Sequence, residues 1–173
     1  MIGPRGFAAI GLHLPKNTIN IGHVLRAAGV FDAKLVVASG ERIKGSLATD
    51  TGQVRRHLPW LWVDDLHTAI PHDCVPVAIE LKSGAKPLPA FSHPDRAFYI
   101  FGPEDGSLGP KVLDWCRDIV YVPAGCMNLS ACVNVVLYDR MVKRREWERK
   151  EPVGMDDRNK GCHSQSKESK PCP

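Results

Sequence analysis

Residues 119–140 read IVYVPAGCMNLSACVNVVLYDR, and the reading of this stretch decides the fold. Ile119 to Val122 is a short β-branched and aromatic run of strand composition. Pro123 and Gly125 end it. Asn128 offers the side-chain oxygen of a helix N-cap, which can accept from an orphan N–H of the first turn. Behind it, Leu129, Cys132, Val133, Val136 and Leu137 recur at helical spacing, and most residues between them are apolar too. A helix apolar around most of its circumference is normally buried on several sides. Strand, backbone-rich loop and buried helix therefore follow one another closely, and the loop between them is placed to hold a ligand.

Outward from this stretch, the chain repeats the same units. FAAIGL (7–12), KLVVA (34–38), VPVAIEL (75–81) and AFYIF (97–101) have the composition of buried strands. WLWV (60–63) is shorter; its Trp60 and Trp62 suit either a core or a surface on which bases stack. After the first strand, Asn20 reads as the cap of a helix with Ile21, Val24, Leu25 and Ala28 on one face, closed by Gly29. His23 and Arg26, three apart, share the other face. Buried strands alternating with helices predict an α/β protein with a mainly parallel sheet and helices on both faces. Ligands of such sheets lie beyond the carboxyl ends of the strands. The loops there are 14–20, 82–85, 102–106 and 122–128.

The 173 residues fit one domain over 1–150, and from 151 to 173 the apolar content collapses into a polar tail expected to be disordered. Residues 140–150 are dense in charge and are expected to carry the last helix onto the surface. Net charge is +4, from 23 basic and 19 acidic residues, which permits an RNA or anionic partner without requiring one. Between 39 and 59, Arg42, Lys44, Arg55, Arg56 and His57 make either a solvated loop or a basic surface for a phosphate backbone. No apolar run approaches a membrane span and no charged n-region precedes an h-region, so no membrane is expected and the cytoplasm is the expected location. The six cysteines show no CxxC pair and no zinc spacing, which argues against a metal and against a disulfide framework.

No G-x-G-x-x-G or P-loop follows a strand, and no serine occupies a G-x-S-x-G elbow. What remains is Glu80 in an apolar strand, Glu104 in a loop, Arg26 on a helix, and the amides Asn20 and Asn128 at helix caps. That set suits the positioning of a ligand and one phosphate or hydroxyl more than hydrolysis by two carboxylates. Each also has a plainer role. The asparagines cap, Arg26 is solvated, Glu104 sits at the favourable end of a helix dipole, and Glu80 is a buried, paired carboxylate. From residue types alone, the conclusion is a ligand-binding α/β domain.

Three segments go further. NTINIGHVLR (17–26) is similar to N-x-x-N-x-G-x-x-x-R, FGPEDGSL (101–108) to F-G-x-E-x-G-x-L, and Val122-Pro123 with Asn128-Leu129-Ser130 to I-P … S-L-N-[VL]-S. In this order the chain resembles, over residues 7–142, the SPOUT methyltransferases of the SpoU and TrmH branch, which are RNA 2′-O-ribose methyltransferases. The resemblance implies a C-terminal trefoil knot, S-adenosylmethionine bound in bent form on the knot loops, and a homodimer with a shared active site. Carried over by position, it implies candidate catalytic roles for Asn20, Arg26, Glu104 and Asn128. Arg26 would stand near the target ribose, and Glu104 would order the loops. Ile79, Leu81, Gly102, Val122, Cys126 and Met127 would bind the cofactor. With the first motif close to the start of the chain and no RNA-binding domain before it, tRNA is favoured over rRNA.

The departure from the pattern is Cys126, which stands where the family has serine, with Met127 in place of leucine. Cysteine is the weaker hydrogen-bond donor. Two readings follow, an RNA 2′-O-ribose methyltransferase and a catalytically weak or inactive relative that binds RNA or the cofactor.

Overall fold

The computed structural model describes residues 6–40 and 56–149. Seven strands form one sheet: β1 (Phe7–His13), β2 (Leu35–Ser39), β3 (Trp60–Val63), β4 (Val75–Ile79), β5 (Lys86–Pro87), β6 (Arg96–Phe101) and β7 (Asp118–Tyr121). Their order is β3-β2-β1-β6-β4-β7-β5, and each neighbouring pair is parallel. β1 and β6 lie side by side in the middle, Leu12 opposite Phe101. Both are buried nearly end to end, as the continuous apolar runs predict for a sheet covered on both faces.

Successive side chains of β6 point to opposite faces. Tyr99 and Phe101 pack under α1 (Thr18–Val30) and α3 (Leu129–Lys143), against Ile21, Leu25, Val133 and Val136. Phe98 and Ile100 pack on the other face against Leu66, Leu108 and Val112, from a 3-10 turn at Leu66–Ala69 and the short α2 (Gly109–Leu113). Each such side chain contributes about 1.5–3 kcal/mol by leaving water. The expected parallel α/β sheet with helices on both faces is the one observed.

β7 lies between β4 and β5. Val120 accepts from the Glu80 N–H at 2.9 Å on one side and stands opposite Lys86 on the other. Residues 80–85, which join β4 to β5, thus pass β7 near the point where the chain turns towards α3.

Four local expectations change, and one open reading is resolved. Helix α1 is capped by Asn17, whose Oδ1 accepts the Ile19 N–H at 2.8 Å, so Asn20 lies inside the first turn with its side chain free for other bonds. Helix α3 is two-faced: Leu129, Val133, Val136 and Leu137 are buried, while Val135, Tyr138 and Val142 face outward, Tyr138 being 57% exposed. Arg140, expected on the surface, is 2% exposed. Its guanidinium donates to the carbonyls of Pro94 (2.7 Å) and Asp95 (2.9 Å) and to the Tyr99 hydroxyl (3.1 Å). β3 is an edge strand on which Leu61 and Trp62 are exposed while Trp60 is half-buried against the core, so the two readings left open for this segment divide between its tryptophans. Glu80 falls just past β4 and is half-buried. The polar tail at 151–173, with Cys162 and Cys172, and the basic residues Arg42, Lys44 and Arg55 lie outside the described residues.

Candidate active site

The carboxyl ends of β4, β6 and β7 open into a cleft. The loops beyond them bring together Ile79, Glu80 and Leu81, then Phe101 to Glu104, then Val122, Cys126 and Met127, with Leu129 and Cys132 from the first turn of α3. All six residues assigned to the cofactor from sequence therefore line one cavity. It encloses about 140 Å³, smaller than the roughly 300–1,000 Å³ of most ligand sites. A nucleoside-sized molecule would fill it and extend past its mouth. The walls are apolar, and glycines at 102, 106 and 125 leave backbone accessible. Such a lining suits a flat heterocycle held by main-chain groups.

At the rim, a polar chain ties the three motif segments together. The Asn20 Nδ2 group donates to Glu104 Oε1 at 2.7 Å, and the Lys16 backbone N–H donates to Glu104 Oε2 at 2.8 Å. The Asn128 Nδ2 group donates to Asn20 Oδ1 at 3.0 Å. Asn128 is also the cap of α3, accepting from the Ser130 N–H at 2.9 Å and the Ser130 hydroxyl at 2.7 Å. Its plain and its functional roles are thus filled at once, by the two ends of one amide. Asn20 can serve the chain because Asn17 does the capping.

The chain needs a particular turn after β1. Leu14 adopts φ +49°, an uncommon value for a branched residue. Its side chain lies on Gly40, itself at φ +92°, where a β-carbon would collide with it. The Leu14 N–H donates to the Ser39 carbonyl at 3.1 Å. The turn then aims the Lys16 N–H at Glu104 and starts α1.

Arg26 is the assigned residue that this chain does not reach. It stands on the exposed face of α1 with His23, and among the described residues no hydrogen bond or ion pair joins it to Asn20, Glu104 or Asn128. Six residues along the helix set it about 9 Å from Asn20. Cys126 is exposed at the cleft and unpaired. Burial pushes the Cys132 thiol up to about 11, so it lines the cleft as a neutral group. Among the described residues, no group of three or more His, Cys, Asp or Glu could hold a metal ion.

The sequence model of the SpoU rRNA Methylase family matches residues 8–138, most of the chain. The chain belongs to this family. Among solved structures it is similar to an rRNA methyltransferase from Sinorhizobium meliloti, with TM-score 0.71, 17% identity, and 82% of this chain and 58% of that one covered. A second is the SpoU methyltransferase AviRb from Streptomyces viridochromogenes, in complex with the cofactor AdoMet, with TM-score 0.70, 20% identity and coverage of 84% and 64%. A third comes from work on the 2-OH methylation of C/U34 on tRNA, with TM-score 0.71, 19% identity and coverage of 83% and 99%. The chain thus spans about three-fifths of the first two and nearly all of the third. No protein of curated function matches it. At these identities the solved structures speak for the fold, and the family match covers all three motif segments.

Against that family pattern, sequence reading missed Lys16, because it contributes a backbone N–H that no residue type announces. It missed Cys132, which the helical spacing assigned only to the core. Glu80 was singled out but without a partner. Its Oε2 accepts the Leu108 N–H at 2.8 Å and its Oε1 the Leu81 N–H at 3.0 Å.

Proposed function

We propose that the protein transfers a methyl group from S-adenosylmethionine to a ribose 2′-hydroxyl of RNA, with tRNA the favoured substrate. The observation that carries this reading is the continuous Lys16–Glu104–Asn20–Asn128 chain along the rim of the cleft that all six expected cofactor residues line. The cofactor would supply an activated methyl on a sulfonium, a leaving group that needs little acid–base help. Alignment of the hydroxyl with the methyl carbon is then the main demand on the protein.

In this reading, Ile79, Leu81, Gly102, Val122, Cys126 and Met127 hold the cofactor. Glu104 is a positioning residue, fastened by Lys16 and Asn20, that keeps the loops of β6 and α1 in register. Asn20 and Asn128 fix the rim where the ribose would rest. Arg26, which no hydrogen bond or ion pair among the described residues joins to Asn20, Glu104 or Asn128, is available to an RNA phosphate and to the 2′-hydroxyl beside it. The proposed working unit is a homodimer: Val135, Tyr138 and Val142 form an exposed apolar stripe on α3, the helix whose first turn lines the cleft, of the kind that marks an interaction surface. A trefoil knot at residues 80–128 is proposed with it, formed by the chain after β7 passing through the 80–85 connection; threading of this kind is otherwise almost absent from proteins. No helix among the described residues is long and apolar enough to cross a membrane, and the cytoplasm is the proposed location.

Tritium transfer from labelled cofactor into tRNA and rRNA tests this, with Arg26→Ala as the control. Label is expected in tRNA, with a loss of about 100-fold or more in the variant, the scale of a positioning defect. Unchanged incorporation by Arg26→Ala would remove that residue from the reaction. A second reading has one observation in its favour, the exposed Cys126 at the serine position. It makes the protein a binding relative that holds the cofactor without methylating RNA. Cofactor binding by calorimetry, with no label in total RNA, would favour it.

A further inference from the structure

One charged residue of the cleft has no role in the transfer reaction outlined above. Glu80 lines the cavity with Glu104, yet no lysine or arginine among the described residues forms an ion pair with either carboxylate. Both Glu80 oxygens accept backbone N–H groups, from Leu108 and Leu81. Those bonds hold the half-buried carboxylate in the wall of the cleft beside Gly102, where a β-carbon would come within 3.6 Å of its Oε2. Backbone N–H groups fasten the side chain but leave its formal charge uncancelled. The cavity is small and its walls are mostly apolar, so charge inside it is screened less than at the open surface. A ligand group that enters shares this cavity with the Glu80 carboxylate.

We propose that Glu80 is a specificity-determining residue which makes the cleft prefer a cationic ligand to its neutral counterpart. On the cofactor reading, which this inference rests on, S-adenosylmethionine carries a sulfonium. The product left after methyl transfer, S-adenosylhomocysteine, is a neutral thioether of nearly the same shape. A fixed negative charge separates the two where shape cannot. It draws the charged cofactor in, and it loses its attraction for the ligand once the methyl and the positive charge have gone. The same charge would favour sinefungin, whose ammonium group stands at the sulfonium position. A carboxylate at this point therefore acts on product release as well as on binding, and it does so without touching the RNA.

Glu80→Gln tests the idea with little change in shape. Glutamine keeps a carbonyl oxygen to accept the Leu108 N–H and removes the charge. The measurement is isothermal titration of S-adenosylmethionine, sinefungin and S-adenosylhomocysteine into the wild-type chain and the variant, with thermal melting to establish that the variant is folded. The expected result is a loss of about 5- to 10-fold for the two cations, the size of one unit charge acting across several ångströms of partly screened medium, while the thioether binds as before or tighter. Equal weakening of all three ligands would make Glu80 a loop fastener only and overturn the proposal. So would no change in any of them. Should the variant not fold, the wild type decides alone: equal binding of S-adenosylmethionine and S-adenosylhomocysteine overturns charge selection, and a cation preference that shrinks with added salt supports it. If the wild type binds none of the three, the cofactor reading itself fails and this inference falls with it. Binding without preference sinks only the role of Glu80.

Discussion

The bond between Asn20 and Glu104 can be weighed directly. Asn20 is buried at 8% exposure and gives its Nδ2 group to a half-buried carboxylate at 2.7 Å. A hydrogen bond to a charged acceptor contributes about 1.5–3 kcal/mol in a protected setting. The partial exposure of Glu104 sets the expectation nearer 1–2 kcal/mol. Glu104→Ala removes the acceptor and leaves the Asn20 amide short of one partner, at about 2 kcal/mol. Asn20→Ala removes both the donor to Glu104 and the acceptor for Asn128, at a similar cost. Once one partner is gone, the other has less to lose, so the double variant should be destabilised by about 1–2 kcal/mol less than the sum of the singles. Urea unfolding of the four proteins gives each stability, and each single variant should melt roughly 4–8 °C lower in a chain of this size. Single effects that add to within about 0.3–0.5 kcal/mol would refute the reasoning, because the two side chains would then be neighbours without being coupled.

Three other outcomes are expected. Burial holds His93 neutral, its pKa lowered to about 4 against the pull of Asp139, and its ring lies between the Tyr99 hydroxyl (2.6 Å) and Asp139 (2.8 Å). The unfolded chain takes up a proton near pH 6.5 that the folded chain refuses until about 4, so stability should fall across that window by up to about 3 kcal/mol and level off below it; urea midpoints against pH should lose this slope in His93→Gln. Arg140→Met should cost about 3 kcal/mol, since it leaves the Pro94 carbonyl without its donor and takes one of two partners from both the Asp95 carbonyl, still bonded to the Phe7 N–H, and the Tyr99 hydroxyl, still bonded to His93, and thermal melting reads that loss. Gly40→Ala should cost more than about 1 kcal/mol through its φ of +92° and the collision with Leu14, and it should weaken cofactor binding in calorimetry because the turn at Leu14 leads to the Lys16 N–H.

The fold was largely legible because its strands announce themselves. A parallel sheet buried on both faces requires continuous apolar runs, and VPVAI and RAFYIF are such runs. The cleft was legible through the motif register, which brought Gly102, Val122 and Met127 to one place from two loops. Partnerships over long sequence separation were not. Arg140 looked like one charge among many, since nothing near it in sequence reveals that Tyr99 and the 94–95 carbonyls receive it. Asn20 was read as a cap because Asn17, three residues earlier, has the same side chain, and only the backbone shows which amide closes the helix. The two faces of α3 were hidden for a related reason. Val135, Tyr138 and Val142 are as apolar as the buried positions, and their exposure is fixed by where α1 and the sheet lie.

The central claim is that this cleft and its polar rim methylate a ribose in RNA. Ribose methylation leaves the adjoining phosphodiester resistant to alkali, so it can be mapped nucleotide by nucleotide in RNA from cells with and without the protein. The account predicts one or a few protected positions, in tRNA first, that vanish with the protein and return when the purified wild-type chain and S-adenosylmethionine are added to that RNA. Identical maps from both cells, or added methyl groups found on bases instead of ribose, would contradict it.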